Sequence, residues 1–162
     1  MARYAAKTQV SSEKSKNEIE RTLTRYGATE FVYGTKLEWA VIAFKMVGRQ
    51  IRFMLPLPDR TDPEFTQYTR GNSRYAYERT EDAAAKLYEQ AIRQKWRALA
   101  LVIKAKLEAV ESGITEFEDE FLAHIVLPNG QTMGEFAKPQ IEHAYSTGEM
   151  PSLLTPLLTH DS

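Results

Sequence analysis

Residues 81–111, EDAAAKLYEQAIRQKWRALALVIKAKLEAVE, run without a glycine or proline and constrain the rest of the chain more than any other stretch. Thr80 suits an N-cap, and Glu81 and Asp82 place negative charge in the first turn, where the helix dipole favours it. Three alanines, the strongest helix formers, follow. Gly113, after Ser112, fits the left-handed position past a last turn. The spacing predicts one long helix ending at 111–112. Tyr88, Ile92, Trp96, Leu99, Ile103, Leu107 and Val110 recur at steps of three and four and form one apolar stripe. Its centre, Ala98 to Ile103, carries no charge, so it is expected to be covered on more than one side. At 1.5 Å per residue the helix spans roughly 46 Å, whereas a compact chain of this size is about 40 Å across. It therefore kinks, or forms the full spine of the domain, or carries one end to a partner.

The flanking segments supply what that helix must cover. Residues 1–10 lack periodicity and read as a loose arm. Ser11 or Ser12 caps a first helix reaching about Tyr26, with Ile19, Leu23 and Tyr26 on its apolar face and Gly27 as its stop. Residues 28–57 switch to a period of two and predict strands at 28–34, 36–46 and 50–57, the last two joined at Val47-Gly48-Arg49. That turn would set Phe44 against Phe53, Ile42 against Leu55 and Met46 against Ile51 on the face the long helix covers. Val41, Met54 and Trp39 fall on the other face. Pro56 and Pro58 end the sheet.

Beyond Gly113, the Thr115/Glu118 spacing predicts a capped short helix carrying Phe117, Phe121, Leu122 and Ile125. Leu127–Gly130 is a tight-turn signal, and Thr132/Glu135 starts a last helix over 133–145 that Pro139 is expected to kink. Residues 146–162, with two prolines among leucines, read as an extended tail that docks on this chain or a neighbour. The expected fold class is α+β: a three-stranded antiparallel sheet covered by one long helix, with an N-terminal helix and a helical C-terminal part. The 162 residues read as one domain, with 11–57 helix plus sheet, 58–80 a loop, 81–112 the long helix and 113–162 the C-terminal part.

Hydrophobic content of 43% is enough for a real core. With no cysteine there are no disulfides, thiolate metal sites or cysteine nucleophile. No apolar run approaches the length of a membrane span, and the N-terminus lacks the apolar region of a signal peptide, so the expected location is a cytoplasm. The net charge of −1 hides a division. Residues 1–106 hold 20 Lys/Arg against 12 Asp/Glu, and residues 107–162 hold one Lys against 10 Asp/Glu. Such a split either exposes a basic surface to phosphates or lets the acidic end screen the basic one.

Residues 58–80, PDRTDPEFTQYTRGNSRYAYERT, show no sustained helical or strand pattern. Long loops of this kind are usually functional or disordered. Tyr68, Arg70, Arg74, Tyr75, Tyr77 and Arg79 interleave aromatic rings with guanidiniums. Bases stack on both kinds of plane, and arginines pair phosphates in a bidentate way. Lys86, Arg93, Arg97 and Lys104 add a basic stripe on the long helix. The predicted nucleic-acid-binding set is Arg70, Arg74, Tyr75, Tyr77, Arg79, Lys86, Arg93 and Arg97. The competing expectation is that Tyr75 and Tyr77 pack on the sheet while the arginines are solvated or pair with Asp59, Asp62 and Glu64.

No P-loop, GxGxxG, GxSxG or HExxH motif is present, so no catalytic residue and no cofactor is expected. Glu120 and His124 share a helix face, but a metal site needs three or four converging ligands, and none is expected here. The acidic run Glu116, Glu118, Asp119, Glu120 reads as a solvated helix start rather than a Mg²⁺ site.

The segments VSSEKSKNEIERTLTRYGATEF, KWRALALVIKAKLEAVESGITEFEDEFLAHIVLPNGQT and IEHAYSTGEMPSLL resemble small uncharacterised proteins encoded by tailed phages and prophages. The resemblance covers most of the chain. It implies a phage gene product acting in a bacterial host cytoplasm and transfers no site residues. The helix–strand–strand–strand–helix order also resembles that of the double-stranded RNA-binding domain. This chain departs from it in the long 58–80 loop and in EDAAAK, which stands where a lysine cluster is expected. The leading expectation is a non-enzymatic accessory protein that binds nucleic acid, single-stranded in preference, and forms a homo-oligomer. The alternatives are an oligomeric inhibitor of a host or phage protein, or a protein that sequesters a nucleotide signal with the same arginines.

Overall fold

The computed structural model describes residues 8–150, so most of the expected arm over 1–10 and tail over 146–162 lies outside the described residues, and residues 146–147 of that tail belong to the last helix. The chain is α+β. Helix α1 (Ser12–Arg25) starts where the Ser11 hydroxyl accepts the Lys14 amide and ends as Gly27 takes a φ of +93°. Strands β1 (Glu30–Thr35), β2 (Trp39–Met46) and β3 (Arg49–Pro56) form an antiparallel sheet in sequence order. A short helix α2 (Pro63–Thr66) and a hairpin of β4 (Gln67–Thr69) and β5 (Ala76–Glu78) follow. Helix α3 (Glu81–Glu111) is the long helix, capped by Thr80 at its start and followed by Gly113 at +72°. Helix α4 (Phe117–Phe121), a single 3-10 turn over Leu122–His124 and helix α5 (Met133–Thr147) complete it. No helix among the described residues is long and apolar enough to cross a membrane.

The core lies between the sheet and α1, α3 and α4. Ala40, Ile42, Phe44 and Met46 of β2 and Ile51, Phe53 and Leu55 of β3 meet Ile19 and Leu23 of α1 and Trp96, Leu99, Ile103 and Leu107 of α3. Phe121 closes one end, edge-on to both Phe44 and Phe53. Burying side chains of this kind contributes about 1.5–3 kcal/mol each. Tyr26 at the end of α1 donates its hydroxyl to Glu108 of α3, which adds a polar tie between the two helices.

The structure corrects several sequence expectations. The β2–β3 turn uses two residues, Val47 and Gly48, with φ of +51° and +71°, so Phe44 pairs with Ile51 and Ile42 with Phe53. The expected register is off by two, which preserves the face of every side chain because strand side chains alternate. Residues 58–80 are not a featureless loop, since they hold α2 and the β4–β5 hairpin. The Thr115 capping box does not form: Glu116 is the N-cap of α4 and makes no side-chain cap. The Thr132/Glu135 box does form, and α5 runs on through Pro139 to Thr147.

The acidic C-terminal part folds back on the basic part. Arg49 pairs with Glu118 at 2.6 Å, Arg52 with Glu135 at 2.8 Å and Lys106 with Glu120 at 2.8 Å. Of the two outcomes open for the charge division, screening within one chain accounts for these groups. Residues 125–126 also pair along the outer edge of β3, where the Val126 amide donates to the Gln50 carbonyl at 2.8 Å.

Candidate nucleic-acid interface

The β4–β5 hairpin is built by a few local devices. The Asp59 carboxylate accepts from the Thr61 amide and hydroxyl at 2.8 and 2.7 Å, which turns the chain out of the sheet and holds that carboxyl below its ordinary value. Pro63 then opens α2, where a missing N–H costs nothing. Phe65 is buried and meets Tyr88 of α3 edge-on, with centroids 5.7 Å apart. That contact moors the hairpin to the long helix. The strands are only three residues each, and cross-strand pairing sets Tyr68 opposite Tyr77.

The two rings lie 5.7 Å apart with their planes tilted by 33°. The Arg70 guanidinium sits over both, at 5.8 Å from Tyr68 and 5.3 Å from Tyr77. Arg79 sits 5.4 Å from the Tyr68 centroid and donates Nε to the Gln67 carbonyl at 3.0 Å. Two tyrosines and two arginines thus form one compact cluster, in which cation–π attraction stabilises the hairpin. A depression of about 500 Å³ opens beside it, lined by Pro63, Gln67, Tyr68, Ala76 and Arg79 among others.

Beyond the cluster, Gly71 at +52° and a Ser73 amide bond to the Arg70 carbonyl shape the tip. Arg74 and Tyr75 project there. Tyr75 is 76% exposed, and Arg74 makes no ion pair among the described residues. The expected packing of Tyr75 on the sheet does not occur. The arginines pair with none of Asp59, Asp62 and Glu64.

The structure divides the predicted residue set. Arg70, Tyr77 and Arg79 come together, and Tyr68 belongs with them although the predicted set omits it. Its signal was the spacing: Tyr68 and Tyr77 flank a turn centred on Gly71-Asn72-Ser73. The helix residues are otherwise engaged. Lys86 pairs with Asp82 one turn earlier at 2.8 Å, which raises its pKa. Arg93 donates Nε and Nη2 to the Gln90 side chain at 3.2 and 2.7 Å. Arg97 donates to Glu18 and ties α3 to α1. Arg97 thus ties two helices together, Lys86 and Arg93 are held within α3, and Lys104 of the same stripe is exposed with no ion pair among the described residues.

Among the described residues no group of three acidic, histidine or cysteine side chains converges to hold a metal. Glu118 and Glu120 are held by Arg49 and Lys106, and His124 stacks on Phe53 with centroids 4.0 Å apart. Comparison with protein-family models, curated proteins and solved structures finds no match to this chain.

Proposed function

We propose that this chain is a non-enzymatic phage accessory protein that binds single-stranded nucleic acid through the β4–β5 hairpin. One observation carries the reading: the exposed hairpin concentrates three tyrosines and three arginines, and the side chains of its tip residues Arg74 and Tyr75 make no ion pair or ring contact among the described residues. Arg70 and Arg79 are held beside the rings, Arg70 donating Nη2 to the Tyr68 hydroxyl and Arg79 donating Nε to the Gln67 carbonyl, so their remaining N–H groups are what they offer to phosphate oxygens. Among the described residues the Tyr75 ring has no ring neighbour, and it offers a face to a base. A base reaches such a ring only when unstacked, which favours single strands over duplexes. A role in a bacterial host cytoplasm follows the resemblance to phage proteins.

Anisotropy titrations of labelled single strands test this. Affinity should fall steeply with salt, with a slope of about −0.7 per neutralised phosphate. Arg74→Ala should flatten that slope by about 0.7. Tyr75→Ala should leave the slope unchanged and weaken binding by about 1–3 kcal/mol. Absence of binding to single strands near 50 mM salt, a condition in which phosphate contacts are strong, would overturn the proposal.

A second reading, binding to a host or phage protein, is supported by the outer face of the sheet. Val32 and Met54 on that face are 64% and 47% exposed, and half-buried Trp39, Val41 and Ala43 continue the same surface. Under that reading, oligonucleotides do not bind and hairpin substitutions matter only with a protein partner present.

A further inference from the structure

Helix α5 is anchored at its first turn and keeps one face exposed beyond it. The Thr132/Glu135 capping box, the Arg52–Glu135 ion pair and the close approach of Gly134 to Ala123 fix its start. Yet none of its fifteen residues is buried. Ile141 and Tyr145, one turn apart, are 54% and 89% exposed. The apolar centre of α3 is largely covered within the chain, with Leu99, Ala100 and Ile103 buried and Val102 44% exposed.

We propose that α5 pairs antiparallel with the same helix of a second copy of this chain. The charges on its exposed flank are self-complementary. Lys138 and Glu142 lie four residues apart, hence on one flank, and symmetrically about position 140. Neither has an ion-pair partner among the described residues. A two-fold axis near residue 140 sets Lys138 of each copy against Glu142 of the other, giving the same pair twice, as an isologous contact requires. Packed helices lie 8–10 Å apart, within reach of such side chains. The same arrangement covers the Ile141–Tyr145 ridge and opposes the two helix dipoles. A contact of roughly 22 Å of helix per copy is small beside a standard interface, so the dimer is reversible and depends on concentration. This inference does not depend on nucleic-acid binding.

Charge reversal followed by mixing tests it. Lys138→Glu alone places carboxylates against Glu142 of the other copy, and Glu142→Lys alone places ammonium groups against Lys138. Sedimentation of the wild type over a roughly hundredfold dilution series (about 3 kcal/mol in association) should show the mass moving between one and two chains of 18.5 kDa. Each single variant should stay at one chain's mass, and an equimolar mixture of the two should recover the wild-type shift. A pair within one helix could not produce recovery on mixing. Both positions are exposed, so melting temperatures should match the wild type. A wild type that stays at one chain's mass, single variants that associate as the wild type does, or a mixture that does not recover would each overturn the proposal.

Discussion

Phe65 stands edge-on to Tyr88, at 90° between ring planes, and through this contact the outlying hairpin takes its position from the long helix. Phe65 is buried but lies outside the main core cluster. Phe65→Ala should therefore act locally, removing about 3 kcal/mol from the closed state of residues 63–79. Amide exchange of Tyr68, Tyr77 and Arg79 should accelerate while that of β2 and the centre of α3 does not. Equal acceleration everywhere would show that the hairpin and the core form one cooperative unit.

Arg97 has the composition of a phosphate contact and the geometry of a packing residue, since its guanidinium is taken by Glu18. Arg97→Ala should leave the oligonucleotide salt slope unchanged. A double-mutant cycle with Glu18→Ala should give a coupling of about 0–1 kcal/mol, as the pair is partly exposed. A slope that falls with Arg97→Ala would return the helix stripe to the interface.

Gly134 sits in the first turn of α5, where alanine ordinarily stabilises a helix by about 1 kcal/mol. A Cβ there would lie 2.9 Å from the Ala123 carbonyl oxygen, a backbone atom with little room to give. Gly134→Ala should thus destabilise by about 1–3 kcal/mol, read from chemical denaturation. A stabilised variant would mean that the 122–124 turn moves freely.

Burial holds the His124 imidazole below the ordinary histidine value, Lys106 acts in the same direction, and the bond to the Arg52 backbone opposes them. The native state accordingly takes up this proton at lower pH than the unfolded chain. The contribution to stability is complete above the ordinary value of about 6.5 and is lost as pH falls below it. His124→Gln should flatten the decline of melting temperature between about pH 7 and 5. Parallel profiles for variant and wild type would remove His124 as a cause of acid sensitivity.

What could be read from the sequence followed from periodicity. The stripe from Tyr88 to Val110, the Thr80 cap and Gly113 define α3, because a long helix repeats its signal many times. The sheet faces were equally legible, but its register was not. A tight two-residue turn usually carries asparagine or glycine at its first central position, and here a β-branched Val47 takes that conformation. The hairpin escaped notice because three-residue strands of mixed polarity carry too few alternations to register. The Tyr/Arg composition pointed to the candidate hairpin, whereas the role of Arg97 depended on Glu18, 79 positions away. Local spacing holds no trace of such a pairing.

The most direct test of the central claim is a heteronuclear NMR titration of the full chain with a short single strand of DNA or RNA at low salt. The account predicts shift changes concentrated at residues 68–79, with the Tyr75 ring moving most. It also predicts little change at Arg93 and Arg97, which are held by Gln90 and Glu18. Changes confined to the α1–α3 groove or to the outer sheet face, or no changes at all, would contradict it.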